Sequence, residues 1–67
     1  MIKELVGKRI KELRTAQNMS QESFAIKCNL DRTYITSVER GKRNISIVNL
    51  EKITKALNTS LSDFFNF

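Results

Sequence analysis

Apolar residues near the start of the chain fall at Leu5, Val6, Ile10 and Leu13, with Lys3, Lys8, Lys11 and Glu12 between them. That spacing returns to one side of a helix every three or four residues, and it predicts a first helix over about Ile2–Ala16. The polar pair Gln17-Asn18 interrupts the pattern, and Ser20 supplies a hydroxyl suited to an N-cap. A second helix is predicted over Gln21–Cys28, burying Phe24, Ala25 and Cys28 on one side. Glu22 lies in its first turn, where the macrodipole favours an anion. The capping box is incomplete, because Ser23 stands where a Glu would reach back.

Asn29 tolerates the left-handed conformation that often ends a helix, and Asp31 two residues later is a candidate N-cap for the next. Helix, three-residue break and helix is the spacing of a helix-turn-helix, here about residues 20–41. The third helix, Arg32 to about Arg40, buries Ile35 and Val38 and stops at Gly41, a glycine suited to a C-cap. Lys42–Ile45 reads as a basic, polar loop. Ser46 then caps a fourth helix, Ile47–Leu57, with Leu50, Ile53 and Leu57 inward and Asn58 closing it. Ser60 and Asp63 form a capping-box-like pair for a short fifth helix running into Phe64, Phe65 and Phe67. The chain has no proline and two glycines, a poor supply for sheet turns. The fold class expected is therefore all-α, a compact domain of five helices, without repeats, low-complexity tracts or linkers.

A length of 67 residues bounds the chain to one domain, 1–67, with a core small enough to need efficient packing or a partner. Cys28 is the only cysteine and there is no histidine. No intrachain disulfide can form, and neither a zinc site nor any other metal or cofactor is expected. The unpaired cysteine suits a reducing cytosol. No apolar run has the length of a membrane span, and Met1–Gly7 lacks the apolar stretch of a signal peptide, so a cytoplasmic location without membrane contact is expected.

Twelve Lys and Arg against seven Asp and Glu leave a formal charge of +5, which points to a polyanionic partner. The same charge spread evenly would only solubilise the surface, so placement decides. With Ile35 and Val38 buried, the third helix turns Arg32, Thr33, Thr36, Ser37 and Arg40 outward. The guanidinium fork matches guanine O6 and N7, and threonine offers a hydroxyl and a methyl to a base edge. The first residues of a recognition helix reach bases first, which puts Arg32 and Thr33 in front. A polar outer face is also what any surface helix carries. Catalysis is not expected. With no histidine, Cys28 on an apolar side and acids placed as caps, no nucleophile–base pair is visible.

Gln21-Glu22, Ala25, Leu30, Tyr34-Ile35, Glu39-Arg40-Gly41-Lys42 and Ser46 stand where the lambda-repressor/Cro-like (XRE) helix-turn-helix family places similar residues. This resemblance spans nearly the whole chain. The string Asn29-Leu30-Asp31-Arg32-Thr33-Tyr34-Ile35, followed by Glu39-Arg40 and Arg43-Asn44, most resembles the controller proteins of restriction–modification systems. The chain departs from the usual pattern at Asn29, which replaces the glycine common in the turn.

The resemblance implies a lambda-repressor-like fold and roles by position. Arg32, Thr33 and Ser37 match base-reading residues, and Gln21, with Ser20 beside it, matches a phosphate contact at a helix N-terminus. Tyr34, Arg43 and Asn44 match residues at or near the DNA, assigned to phosphate or shape readout. Arg40 is a phosphate candidate on physical grounds. Arg14 and Glu39 match an ion pair tying helix one to helix three, and Arg14 also lies near the family's DNA backbone. The chain ends at Phe67, so dimer contacts are expected from helices four and five, about 46–67, with Phe64, Phe65 and Phe67 as candidates.

The implied function is sequence-specific binding of double-stranded operator DNA by a homodimer, which regulates transcription of its own gene and a restriction endonuclease gene. RNA polymerase is a further partner the resemblance allows, and the setting implied is the nucleoid of a bacterium or a phage-infected cell. Two other readings stay open at this point: a generic or phage-type repressor, and an antitoxin-like module gripping a partner protein.

Overall fold

The computed structural model describes residues 1–67 as five helices and no strand. They are α1 (Ile2–Ala16), α2 (Gln21–Cys28), α3 (Arg32–Glu39), α4 (Ile47–Ala56) and α5 (Leu61–Phe64). Every expected helix is present. Two end one residue early, with Arg40 the C-cap of α3 and Leu57 that of α4. No helix is long and apolar enough to cross a membrane.

Four sharp turns are made without proline by left-handed residues: Asn18 (φ 59°), Asn29 (φ 58°), Gly41 (φ 71°) and Asn58 (φ 54°). At each, two N–H groups fold back onto the last helical turn. After α1 these are Met19 to the Arg14 carbonyl and Asn18 to Thr15, and after α3 they are Lys42 to Ser37 and Gly41 to Val38. Leu30 and Asn29 do the same after α2, and Thr59 and Asn58 after α4. Each pair is the double bond of a Schellman motif, which satisfies carbonyls the helix leaves open. The short polar side chain of asparagine lets it take the role glycine usually fills.

The N-termini are closed mainly by serine. The hydroxyls of Ser20, Ser46 and Ser60 accept from the backbone N–H of Ser23, Asn49 and Asp63 at 3.0, 3.1 and 3.0 Å. Asp31 departs from expectation. It occupies the N-cap position of α3, but its carboxylate makes no capping bond and instead accepts from the Thr33 hydroxyl at 2.6 Å.

One core of twelve buried apolar residues joins all five helices, among them Val6, Ile10, Phe24, Ile35, Val38, Leu50, Ile53, Leu57 and Phe64. Leu5, expected on the buried side of α1, is half exposed. The inward stripe of α1 is Val6, Gly7, Ile10 and Arg14, and Leu5 lies to one side of it. Phe64 is a second correction. It is wholly buried, so it belongs to the core and not to any interface. Arg9 explains its placement, donating from Nε to the Phe64 carbonyl (2.9 Å) and from a terminal nitrogen to that of Asp63 (2.8 Å). A cation on the C-terminal carbonyls of so short a helix pins α5 to α1.

Gly7 is where α1 crosses α3. A β-carbon at that position would stand 2.3 Å from the Val38 carbonyl oxygen and 2.9 Å from that of Glu39. Only a residue without a side chain admits the α3 backbone so close.

Candidate nucleic-acid interface

The orientation of α3 is fixed from beneath. Ile35 and Val38 are sunk in the core, Gly7 admits the backbone, and a buried ion pair closes the underside. Arg14 donates from Nε to Glu39 Oε2 at 2.7 Å and from a terminal nitrogen to Oε1 at 3.0 Å. Its other terminal nitrogen donates to the Met19 carbonyl at 2.7 Å. All three guanidinium nitrogens are thus spent inside the protein, on a residue only 7 % exposed. Arg14 is therefore not a DNA-backbone contact. Its task is to tie α1 to α3 and to the turn before α2.

Gln21 joins the same network. Its Nε2 donates to Glu39 Oε1 at 3.0 Å, and its Oε1 accepts from the Thr36 hydroxyl at 3.1 Å. The side chain at the start of α2 faces α3 rather than standing free. Ser20 lies beside it, exposed, with its hydroxyl engaged by Ser23.

With the underside occupied, α3 presents Arg32, Thr33 and Arg40 exposed and Thr36 and Ser37 half-buried along one outer face. Tyr34 lies at the edge of that face, partly buried against the core, with the Arg43 guanidinium 4.8 Å from its ring centroid. That distance is a cation–π contact, and it brings the loop after α3 alongside the helix. Asn44 is exposed next to Arg43, where the loop turns toward an apolar groove between α1 and α4. Arg32, Arg40, Lys42 and Arg43 all stand exposed over this helix and loop. The acids nearby are already engaged, Glu39 by Arg14 and Gln21, and Asp31 by Thr33. The net field of this side is positive. Cys28 is buried in the core with Phe24 and Ala25, and burial pushes its thiol up to about 11, so it is a packing residue at neutral pH.

A family profile described as Helix-turn-helix matches residues 10–64. The control protein C.MunI of Mycoplasma sp is 52% identical over 66 residues, covering 97% of this chain and 89% of that one. The chain belongs to the helix-turn-helix family of restriction–modification controller proteins. C.BamHI of Bacillus amyloliquefaciens is 46% identical, over 98% of this chain and 83% of its own. In three dimensions this controller-family chain matches the crystal structure of C.AhdI from Aeromonas hydrophila with a TM-score of 0.91 at 44% identity, covering 94% of this chain and 96% of that one. It matches the C.Esp1396I tetramer bound to its natural 35 base-pair operator with a TM-score of 0.91 at 45% identity, covering 97% and 86%. Controller proteins are transcriptional regulators, not enzymes.

Three residues of this controller-family site were not singled out by sequence. Thr36 counted only as one polar residue of an outer face, since nothing in one dimension places it against Gln21. Arg9 carries no local mark that sets it apart from the lysines of α1; its bonds to the Phe64 and Asp63 carbonyls appear only in the fold. Gly7 carried a usable signal: a lone glycine inside a helical pattern costs roughly 1 kcal/mol against alanine and so calls for a packing reason.

Proposed function

We propose that this chain acts as a homodimer on a pseudo-palindromic operator, with α3 of each protomer in the major groove of double-stranded DNA. The observation that carries this reading is the division of α3. Its underside is consumed by Ile35, Val38 and the Arg14–Glu39 pair, which leaves Arg32, Thr33, Ser37 and Arg40 outside the core contacts of the helix. Arg32, Thr33 and Ser37 read base edges, and Ser20, Gln21, Arg40, Arg43 and Asn44 position the backbone, with Tyr34 packed under Arg43. Gln21 serves phosphate through its helix N-terminus more than through its amide, which the protein already uses. C.Esp1396I is seen as a tetramer on its natural 35 base-pair operator, and for this chain the target in this reading is the DNA controlling its own gene, together with an endonuclease gene. Activation through RNA polymerase, in the nucleoid of the host cytoplasm, completes this reading.

In this reading the dimer face is the exposed apolar surface of α4, α5 and the start of α1. Ile2, Ile47, Val48, Leu61, Phe65 and Phe67 are all more than 40 % exposed there. Ile2, Val6, Ile47, Leu50 and Phe65 help line a groove of about 420 Å³ beside it. Phe65 is held edge-on against buried Phe64, with ring centroids 5.1 Å apart, and Phe67 follows at 6.0 Å. So much apolar surface on a small domain marks an interface. Phe65→Ser combined with Phe67→Ser is expected to weaken dimerisation tenfold or more, about 1.4 kcal/mol, while the helical circular dichroism is kept. Unchanged sedimentation across a dilution series would place the interface elsewhere.

Footprinting upstream of the chain's own gene over a protein concentration series tests the reading as a whole, and no protection at any concentration would overturn it. Arg32→Ala is expected to cost about 1–3 kcal/mol on the preferred site and to relax one base position. Equal losses on preferred and random DNA would reassign Arg32 to phosphate. Six phosphate contacts per dimer would give log K against log salt a slope near −5, at roughly −0.9 per phosphate.

A further inference from the structure

The geometry points to a defined polarity in the recognition helix: Thr33 and Thr36 face the groove as hydrogen-bond acceptors, and so read the exocyclic amino groups of adenine or cytosine. This inference rests on the proposed placement of α3 in the major groove. A threonine hydroxyl has one proton to give and two lone pairs to offer. In most surface helices that proton turns to suit whatever base edge it meets. Here both protons are already committed.

The commitment follows from groups that can only accept. Glu39 is a carboxylate, held by Arg14, so the Gln21 atom facing it at 3.0 Å must be the amide nitrogen. That fixes the amide, and the Gln21 oxygen is left facing Thr36 at 3.1 Å. An amide oxygen cannot donate, so the Thr36 hydroxyl must. A chain of three helices, from Arg14 in α1 through Glu39 in α3 to Gln21 in α2, thus sets the direction of one hydroxyl on the outer face. Thr33 is set more simply. Its hydroxyl lies 2.6 Å from the Asp31 carboxylate, which also only accepts. It is the carboxylate that leaves the α3 N-cap without a side-chain bond, so its partner is the threonine and not the helix.

The consequence is chemical selectivity. In the major groove the amino donors are adenine N6 and cytosine N4, whereas guanine and thymine offer acceptors there. Arg32, which can only donate, takes guanine's acceptors, and the two threonines take the complementary set. Thr36 thereby becomes a specificity residue, and Gln21 positions it without touching a base.

The test uses the full chain and a duplex selected from a randomised library. Adenines in that duplex are replaced one at a time by purine, which lacks the 6-amino group, and cytosines by pyrimidin-2-one, which lacks the 4-amino group. Loss of the amino group read by Thr36 is expected to weaken wild-type binding about three- to tenfold, the worth of one hydrogen bond. The Thr36→Val protein, equal in shape, should be weakened beforehand and lose nothing more at that position. Thr33→Val should behave likewise at its own position. Gln21→Leu releases the Thr36 proton, so that position should come to tolerate an acceptor edge as well as an amino group, while the Thr33 position keeps its preference for amino groups. Coupling of either threonine to 7-deazaguanine in place of an amino deletion would overturn the assignment, as would an unchanged discrimination between amino and acceptor edges at the Thr36 position in Gln21→Leu. Insensitivity of binding to Arg32→Ala and both valine variants together would instead overturn the groove placement itself.

Discussion

Glu39→Ala is expected to destabilise the protein by about 3–5 kcal/mol, as the loss of one partner from a buried ion pair does elsewhere. The cost comes less from the lost attraction than from what remains. Arg14 would keep its charge at 7 % exposure with only the Met19 carbonyl left to accept from it. Gln21 Nε2 would lose its acceptor in the same step. Small domains have roughly 5–15 kcal/mol of stability in all, so the variant would be near unfolding at room temperature. Urea denaturation at fixed protein concentration measures it, the concentration being held because a dimer's stability depends on it. A loss under 1 kcal/mol would show that water reaches Arg14 and that the pair contributes little. Replacing both partners, Arg14→Met with Glu39→Leu, should recover much of the stability, since apolar residues of similar volume can substitute for a buried pair. It should not recover base preference, because Gln21 would lose the acceptor that fixes which way its amide faces Thr36. Stability and reading would then separate in one variant.

Much of this fold is legible in one dimension because it is written in local chemistry. The serines at positions 20, 46 and 60 and the left-handed residues Asn29, Gly41 and Asn58 mark helix ends by the bonds they make within a few residues. Ile35 and Val38 define the underside of α3 by spacing alone, and so define its outer face. What sequence leaves open is set by contacts between distant residues. Nothing local distinguishes Phe64, at the centre of the core, from Phe65 and Phe67, which are exposed; the difference lies in Arg9, 55 residues away, holding the Phe64 carbonyl. Asp31 has the composition of an N-cap, but a nearby threonine hydroxyl takes its carboxylate. The direction of the Thr36 hydroxyl depends on an amide 15 residues away and on an arginine in another helix.

Gly7→Val is expected to cost more than about 3 kcal/mol, at the upper end of what overpacking produces. The sign of the milder change, Gly7→Ala, is the sharper test. In an exposed helix interior, alanine in place of glycine stabilises by roughly 1 kcal/mol. At Gly7 the added carbon would stand 2.3 Å from a backbone oxygen of α3, about 1 Å inside the 3.3–3.6 Å at which carbon and carbonyl oxygen normally meet. Neither group is a flexible side-chain end, so α1 and α3 must separate. That separation also pulls on the Arg14–Glu39 pair, whose bonds cross the same interface at 2.7 and 3.0 Å. Gly7→Ala should therefore lower stability by about 1–3 kcal/mol, against its helix propensity. Thermal melting by circular dichroism measures it, a loss of 1 kcal/mol shifting Tm by roughly 4–8 °C in a domain of this size. A raised Tm would mean that the two helices slide past one another freely. In that case the outer face of α3 would not be held firmly enough to present Arg32 and the two threonines at fixed heights to a base pair.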